Sequence, residues 1–280
     1  MFQYAFGKAL CNKFQTDLYL DLSWFDENTT STKRVFQLDL FNTNFLIADK
    51  RVVGELKPLY FRLINSILVK FNIGRLQLPA YFIESGINYN QRINIIKENS
   101  YINGYWQSEK YFVNVQDVIK KEFVFKDIRL DSTNSSLLNE IQLSQSVAVH
   151  VRRSDYNLSH NIDIHGVLPI SYYEQSMKTM QSYVKNAFFF VFSDDADWAK
   201  KSLSNKFQNV RFISDNPSFV DFYLNSQCKN NIIANSTFSW WSAWLNENPN
   251  KKVIAPKNWY SNIDLNNATN DLYPNSWIRI

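Results

Sequence analysis

The sequence predicts an α/β protein whose second half is a doubly wound parallel sheet, and three observations carry that expectation. From residue 146 onward, runs of four to seven mostly apolar residues alternate with helix-like segments, the pattern of strands buried on both faces. Polar and charged residues gather where those runs end, at 150–155, 193–195, 215–216 and 235–239. Such sheets bind ligands beyond the carboxyl ends of their strands, so one crevice can collect all four groups.

Taken in order, the chain opens with a helical segment over residues 2–14, followed by a strand "LYLDLSW" (18–24) and a polar loop "DENTTSTKR" (26–34). A mixed stretch then runs to "YINGYWQSEKYF" (101–112). The pattern changes near residue 145. After it come "SVAVHVR" (146–152), "SYYEQSMKTMQSYV" (171–184), "AFFFVFSDD" (187–195), "ADWAKKSLSNKF" (196–207) and "VRFISD" (210–215). "SFVDFYLNSQC" (218–228), "NNIIAN" (230–235), "TFSWWSAWLNEN" (237–248) and "KKVIAP" (251–256) complete the alternation. With 280 residues and roughly 100–200 per domain, two domains are expected, 1–145 and 146–280.

Composition narrows the class. Hydrophobic residues make up 45% and aromatics 16%, enough for a substantial core and too much for a disordered chain. A formal charge of +4 suits an anionic small molecule, a membrane surface or nucleic acid without choosing among them. Nucleic acid is the weakest of the three, because neither an RNP-type block nor a basic stripe is present. Cys11 and Cys228 lie far apart with no metal-like spacing, which argues against a disulfide framework or zinc site and for reduced thiols in the cytoplasm. No apolar run reaches the ~18–20 residues of a bilayer span, and the first residues lack the basic flank and apolar core of a secretion signal. Peripheral contact with a membrane is compatible with the charge.

Chemistry concentrates at "HVRRSDY" (150–156). An arginine pair is commonly solvated or salt-bridged surface charge. At a strand's carboxyl end it also presents planar forks to phosphate oxygens, with Asp155 placed to hold one guanidinium. His150 reads either as a core histidine or as a contact to a base or ribose. In "ANSTFSWW" (234–241), Asn235 or Ser236 caps the following helix, and Thr237 and Ser239 add hydroxyls at the same end. A helix N-terminus so furnished is an anion site that, with Arg152, would grip a diphosphate from two sides. In "FSDD", Asp194 and Asp195 read as helix caps or as a carboxylate pair for metal, although no other metal-type residue joins them. With six glycines and neither G-x-G-x-x-G nor G-x-x-x-x-G-K-[ST], phosphate binding falls to arginine and the helix terminus. The aromatic pairs 105–106 and 240–241 fit sugar stacking or a plain core.

The "HVRRSDY" stretch is similar to the H-x-R-R-x-D motif of the α-1,2-fucosyltransferases and their α-1,6- and protein O-fucosyltransferase relatives. "FQYAFGKAL", "NGYWQSEKYF", "FSDD", "FISDN" and "NSTFSWWSAWLNENPNKKVIAPKNW" resemble further blocks of the bacterial α-1,2 branch, in the same order and across essentially the whole chain. The resemblance implies a GT-B-like fold of two Rossmann-type domains, the C-terminal one holding GDP-fucose. It implies inverting transfer of L-fucose to the 2-hydroxyl of a galactose-terminated oligosaccharide or lipid-linked glycan, without metal or other cofactor. It places Arg152 on the donor β-phosphate, His150 near the nucleotide, Asp221 on the guanine edge and the turn of Ser236, Thr237, Phe238 and Ser239 on the diphosphate and sugar. Arg153 and Asp194 complete the donor set. Asp155 and His165, with Asp163 nearby, are the candidates near the acceptor hydroxyl, and Arg152 carries leaving-group charge.

In that family a glycine-rich segment precedes "MFQYA", so the chain as numbered is expected to lack the first strand and its loop. That puts turnover at stake more than the nucleotide pocket. A binding module that keeps the pocket without turnover is therefore the competing reading. The absence of the membrane anchor of the animal Golgi members points to a bacterial enzyme of surface-polysaccharide synthesis, working on cytoplasmic GDP-fucose.

Overall fold

A computed structural model of the chain describes residues 1–26, 35–57, 59–71, 73, 80–153 and 164–280. The chain divides into two compact units, residues 1–126 with 268–272, and residues 127–267 with 273–280.

The first unit begins with α1 (Phe2–Phe14), which buries Phe2, Tyr4, Ala5, Phe6 and Ala9. Phe6 meets Trp106 and Tyr111 at ring-centroid distances of 4.7 and 4.9 Å. Gly7 lets Leu18 pack closely on the helix, since a Cβ there would stand 2.6 Å from Leu18 Cδ1 and the leucine would have to shift. After β1 (Tyr19–Leu20) come a single helical turn α2 (Ser23–Asp26), β2 (Leu46–Ile47), α3 (Lys50–Leu56) and α4 (Leu59–Lys70). They are followed by β3 (Tyr81–Ile83), β4 (Tyr101–Asn103) and α5 (Gln116–Glu122). Among the described residues the strands form two separate parallel pairs, β1 with β2 and β3 with β4. Asp49 caps α3 through the amides of Arg51 and Val52, the expected use of an aspartate at that position.

The second unit is built on one six-stranded sheet, ordered β10-β9-β8-β5-β6-β7, in which every pairing is parallel. Its elements are α6 (Ser132–Leu143), β5 (Gln145–Val151), α7 (Ile170–Tyr183), β6 (Ala187–Ser193), α8 (Ala196–Leu203), β7 (Val210–Ile213) and α9 (Ser218–Gln227). They continue with β8 (Asn230–Ile232), α10 (Thr237–Leu245), β9 (Val253–Ala255), α11 (Ile263–Asn267) and β10 (Ile278–Arg279). Strand β5 is buried on both faces, and its alternation divides the core. Val147, Val149 and Val151 pack with Tyr173, Met177 and Met180 of α7 and Leu203 of α8. Ala148 packs on the other face with Leu137 and Ile141 of α6 and Val220 and Leu224 of α9. Each such aliphatic side chain contributes about 1.5–3 kcal/mol by leaving water.

The compact unit starts at Asp127, earlier than the change of pattern near residue 145. Helix α6 contributes Leu137 and Ile141 to the core under β5, so it belongs with the sheet that follows it. Helix α10 is apolar nearly all round and correspondingly buried. Its Trp240, Trp241 and Trp244 form a cluster with Trp277, with centroids 5.0–6.3 Å apart. Trp106, Trp240 and Trp241 are all buried, so the indoles of the two aromatic pairs serve the core and only Tyr105 is exposed.

Candidate functional site

The register of the sheet decides what stands beside the arginine pair. Val151 of β5 faces Ser193 of β6, so the residues that leave the sheet next, Arg152 and Asp194, emerge side by side. Arg152 Nη1 lies 3.1 Å from Asp194 Oδ2. The other oxygen of Asp194 accepts the backbone N–H of Arg153 at 2.8 Å, so one carboxylate braces both residues. Arg153 itself points elsewhere, with Nε 3.4 Å from Asp195 Oδ2 and its guanidinium 3.8 Å from the centroid of Trp198. Stacking and pairing together hold it against α8. Asp195 also caps that helix by accepting from the Trp198 amide at 3.2 Å.

The carboxylates of "FSDD" are thus committed to the arginines and to a helix cap. The sequence offered Asp155 as the arginine's partner; Asp155 and Asp163 lie outside the described residues. Among the described residues Arg152 pairs with Asp194, and the signal for that pair was the neighbouring strand ending at the same level.

His150 is buried and follows Ala148 on the face covered by α6 and α9. Its ring stacks on Phe238 with centroids 4.9 Å apart and planes inclined by 26°, and its Nδ1 has no partner among the described residues. Burial, with the charge of Arg152 second, lowers its pKa to about 3. The imidazole is therefore neutral at physiological pH. Phe238 in turn meets Phe222 edge-on at 5.4 Å.

One residue before Phe222, Asp221 accepts a hydrogen bond from Asn216 Nδ2 at 3.0 Å. Asn216 Oδ1 accepts from Asn134 Nδ2 at 2.9 Å. Burial pushes the Asp221 carboxyl up to about 6, with the Asn216 hydrogen bond opposing the rise. Asn134 had no signal in the sequence, because a polar residue in the first turn of a helix ordinarily faces solvent.

The turn before α10 differs in detail from the expected cap. Ser236 occupies the N-cap position without a side-chain cap. Asn235 instead donates through Nδ2 to the carbonyls of His165, Gly166 and Trp259 at 2.9, 3.3 and 3.1 Å. It ties His165 and Gly166 to the segment after β9. Gly166 adopts φ +67° there, and a Cβ would lie 3.1 Å from Ser261 Cβ. Ser239 is fully buried, and its hydroxyl donates back to the carbonyls of Ala234 and Ser236. Thr237 and Phe238 are half-buried at the first turn of α10. His165 is half-buried and tilted against Tyr260, with centroids 5.7 Å apart.

Within the second unit the geometry therefore joins His150, Arg152 and Asp194 at the ends of β5 and β6 to Phe238 in the first turn of α10, and through Phe222 to Asp221. The first amides of a helix have no intrahelical acceptor and carry the positive end of its dipole. Beside a guanidinium they suit an anion. Among the described residues, no three His, Cys, Asp or Glu side chains are grouped to hold a metal ion.

Residues 63–280 match the family model described as glycosyl transferase family 11. Over its whole length the chain is 35% identical to an alpha-1,2-colitosyltransferase of Escherichia coli, covering 94% of that protein. It is 30% identical, again over its whole length, to the O-antigen biosynthesis glycosyltransferase WbnK of Escherichia coli, covering 96% of it. Over 51% of the chain it is 28% identical to galactoside alpha-(1,2)-fucosyltransferase 1 of Homo sapiens, covering 42% of that protein. Among solved structures, that of NodZ alpha-1,6-fucosyltransferase soaked with GDP-fucose aligns with a TM-score of 0.45 at 16% identity, over 87% of each chain.

Proposed function

The chain belongs to glycosyl transferase family 11, and on that premise we propose that it moves L-fucose from GDP-fucose to the 2-hydroxyl of a galactoside in a bacterial surface glycan. The acceptor is a galactose-terminated oligosaccharide or a lipid-linked glycan, reached from the cytoplasm. The observation that carries this reading is the stack of His150 on Phe238, which fastens the end of β5 to the first turn of α10. It supports a diphosphate site in which Arg152 and the amides of α10 share one anion, beside Asp221 for the edge of a guanine.

The reaction would be a single displacement at the anomeric carbon through an oxocarbenium-like transition state. As the bond to GDP breaks, negative charge grows on the β-phosphate, and Arg152 with the helix terminus stabilises it more in the transition state than in the ground state. Asp194 fixes the guanidinium, so little reorganisation is needed when the charge appears. Ser236 and Thr237 border the diphosphate and sugar, while the buried Ser239 shapes the turn. Asp155 or His165 takes the proton of the acceptor hydroxyl. Charge neutralisation by arginine and helix calls for no cofactor.

A second reading, colitosyl transfer, is favoured by the full-length similarity to the alpha-1,2-colitosyltransferase. Calorimetric titration with GDP, UDP and ADP, followed by turnover of GDP-fucose and GDP-colitose with a galactoside, tests both. Selective GDP binding with fucosyl transfer supports the first, and preference for GDP-colitose supports the second. Preference for UDP overturns both, while GDP binding without turnover of either donor supports the binding module.

A further inference from the structure

The first unit carries a helix that turns apolar side chains to solvent. Along α4 and its last turn, Leu63, Ile67 and Phe71 are 57%, 56% and 68% exposed, and Ile64 is exposed beside them. At about 100° per residue these four occupy one arc of roughly 100°. On the far side, among the side chains described for this helix, Asn65 is buried at 5% exposure and Leu68 is half-buried. A helix packed on a protein core ordinarily turns the opposite way, with its apolar stripe inward.

The end of this helix is well formed. The Phe71 amide donates to Ile67 O at 3.1 Å and the Ile73 amide to Leu68 O at 2.9 Å, which sets Ile73, 70% exposed, beyond the same end. The stripe is thus held outward by a closed helical turn.

Charge says what would cover it. Between Glu55 and Glu84 the sequence carries Arg62, Lys70 and Arg75 besides Lys57, which is paired with Asp21 at 3.6 Å, and no acidic residue. Lys70 closes α4, on the border of the exposed arc. An outward apolar stripe within a purely basic segment matches a helix that lies in the boundary of an anionic bilayer, apolar side chains among the acyl chains and cations at the headgroups. At 1.5 Å per residue, its 12 residues span about 18 Å, too short for a hydrocarbon core of about 30 Å. Among the described residues no helix is long and apolar enough to cross a membrane.

We propose that the exposed face of α4, with Leu63, Ile64, Ile67 and Phe71 at its centre and Lys70 at its edge, docks the protein on an anionic membrane surface. The proposal does not depend on which donor or acceptor is used.

Co-sedimentation of the full chain with phosphatidylcholine vesicles, with and without about one third phosphatidylglycerol, tests it. Binding is expected only to the anionic vesicles and should weaken in about 1 M salt, where the Debye length is about 3 Å. Ile67→Glu should reduce binding at least about tenfold, and Lys70→Glu should reduce it less, both with unchanged circular dichroism and thermal midpoint. Equal recovery with neutral vesicles, no recovery with either, or full binding by Ile67→Glu overturns the proposal. So does a wild-type dimer that ignores vesicles and that Ile67→Glu converts to monomer, which would assign the face to a second copy of the chain.

Discussion

The imidazole of His150 and the ring of Phe238 lie 4.9 Å apart at 26°, and the burial around this stack, with the charge of Arg152 second, keeps the titratable group in its neutral form. Its folded pKa of about 3 lies below the ordinary 6.5. Between those values the unfolded chain binds the proton first, so this residue makes stability fall as pH drops from 6.5 toward 3, by up to about 1.4 kcal/mol per pH unit. Urea midpoints of wild type and His150→Phe at pH 7 and pH 5 check this. The wild type should lose more on acidification than the variant.

Asp221 acts with the opposite sign. Its folded pKa of about 6 exceeds the ordinary 3.8, so its contribution is present below 3.8 and is lost as pH rises through 6. Asp221→Asn should gain on the wild type in denaturant midpoint as pH increases from 4 to 6.5. The two groups oppose one another over much of this window, so the variant also exposes the slope due to His150.

If the ionised Asp221 receives the guanine edge, GDP binding and proton release are coupled. Affinity for GDP should then fall below pH 6, approaching about tenfold per pH unit. Asp221→Asn should bind GDP more weakly at pH 7.5 and show no such dependence. Titration calorimetry at pH 7.5, 6.5 and 5.5 reads both effects.

Arg152→Lys should lower turnover by about 10²–10³, because an ammonium does not reproduce the fork held by Asp194 at 3.1 Å. Asp194→Asn, which removes a partly exposed pair worth about 1 kcal/mol, should lower it only about fivefold. Steady-state kinetics of the two variants with GDP-fucose give the comparison, and full activity in Arg152→Lys would remove the residue from its proposed role.

A buried asparagine network should matter to stability alone. Asn246 Nδ2 donates to Cys228 O and Asn231 Oδ1, both at 2.7 Å, and Asn231 Nδ2 donates to Asn225 O and Oδ1 at 3.1 Å. Asn231→Leu leaves several of these groups without partners and should cost at least about 2 kcal/mol in urea unfolding.

Five of the six strands of the second unit were legible because each lies in a short, mostly apolar run; the edge strand Ile278–Arg279, two residues long, gave no such signal. The helix over 132–143 was harder to place. Its mixed sequence, "STNSSLLNEIQL", gives little sign that Leu137 and Ile141 lie under β5. At the site, His150, Arg152 and the start of α10 could be read from their position at strand ends. The partnership of Arg152 with Asp194 could not, since it follows from the register of β5 against β6 and no local motif encodes which strands are neighbours. The role of Asn235 was misread for a related reason: as a cap it needs only its own helix, but the acceptors it found are 69–70 and 24 residues away.

The tryptophan cluster makes the molecule its own spectroscopic probe. Six of the eight indoles belong to the second unit, and those of Trp240 and Trp244 are stacked at 6.3 Å with planes only 10° apart. Their electronic transitions couple, so loss of the near-ultraviolet signal reports the moment α10 leaves its place. Events confined to the first unit register mainly through Trp24 and Trp106, and the melting of one half can be followed optically without labelling the other.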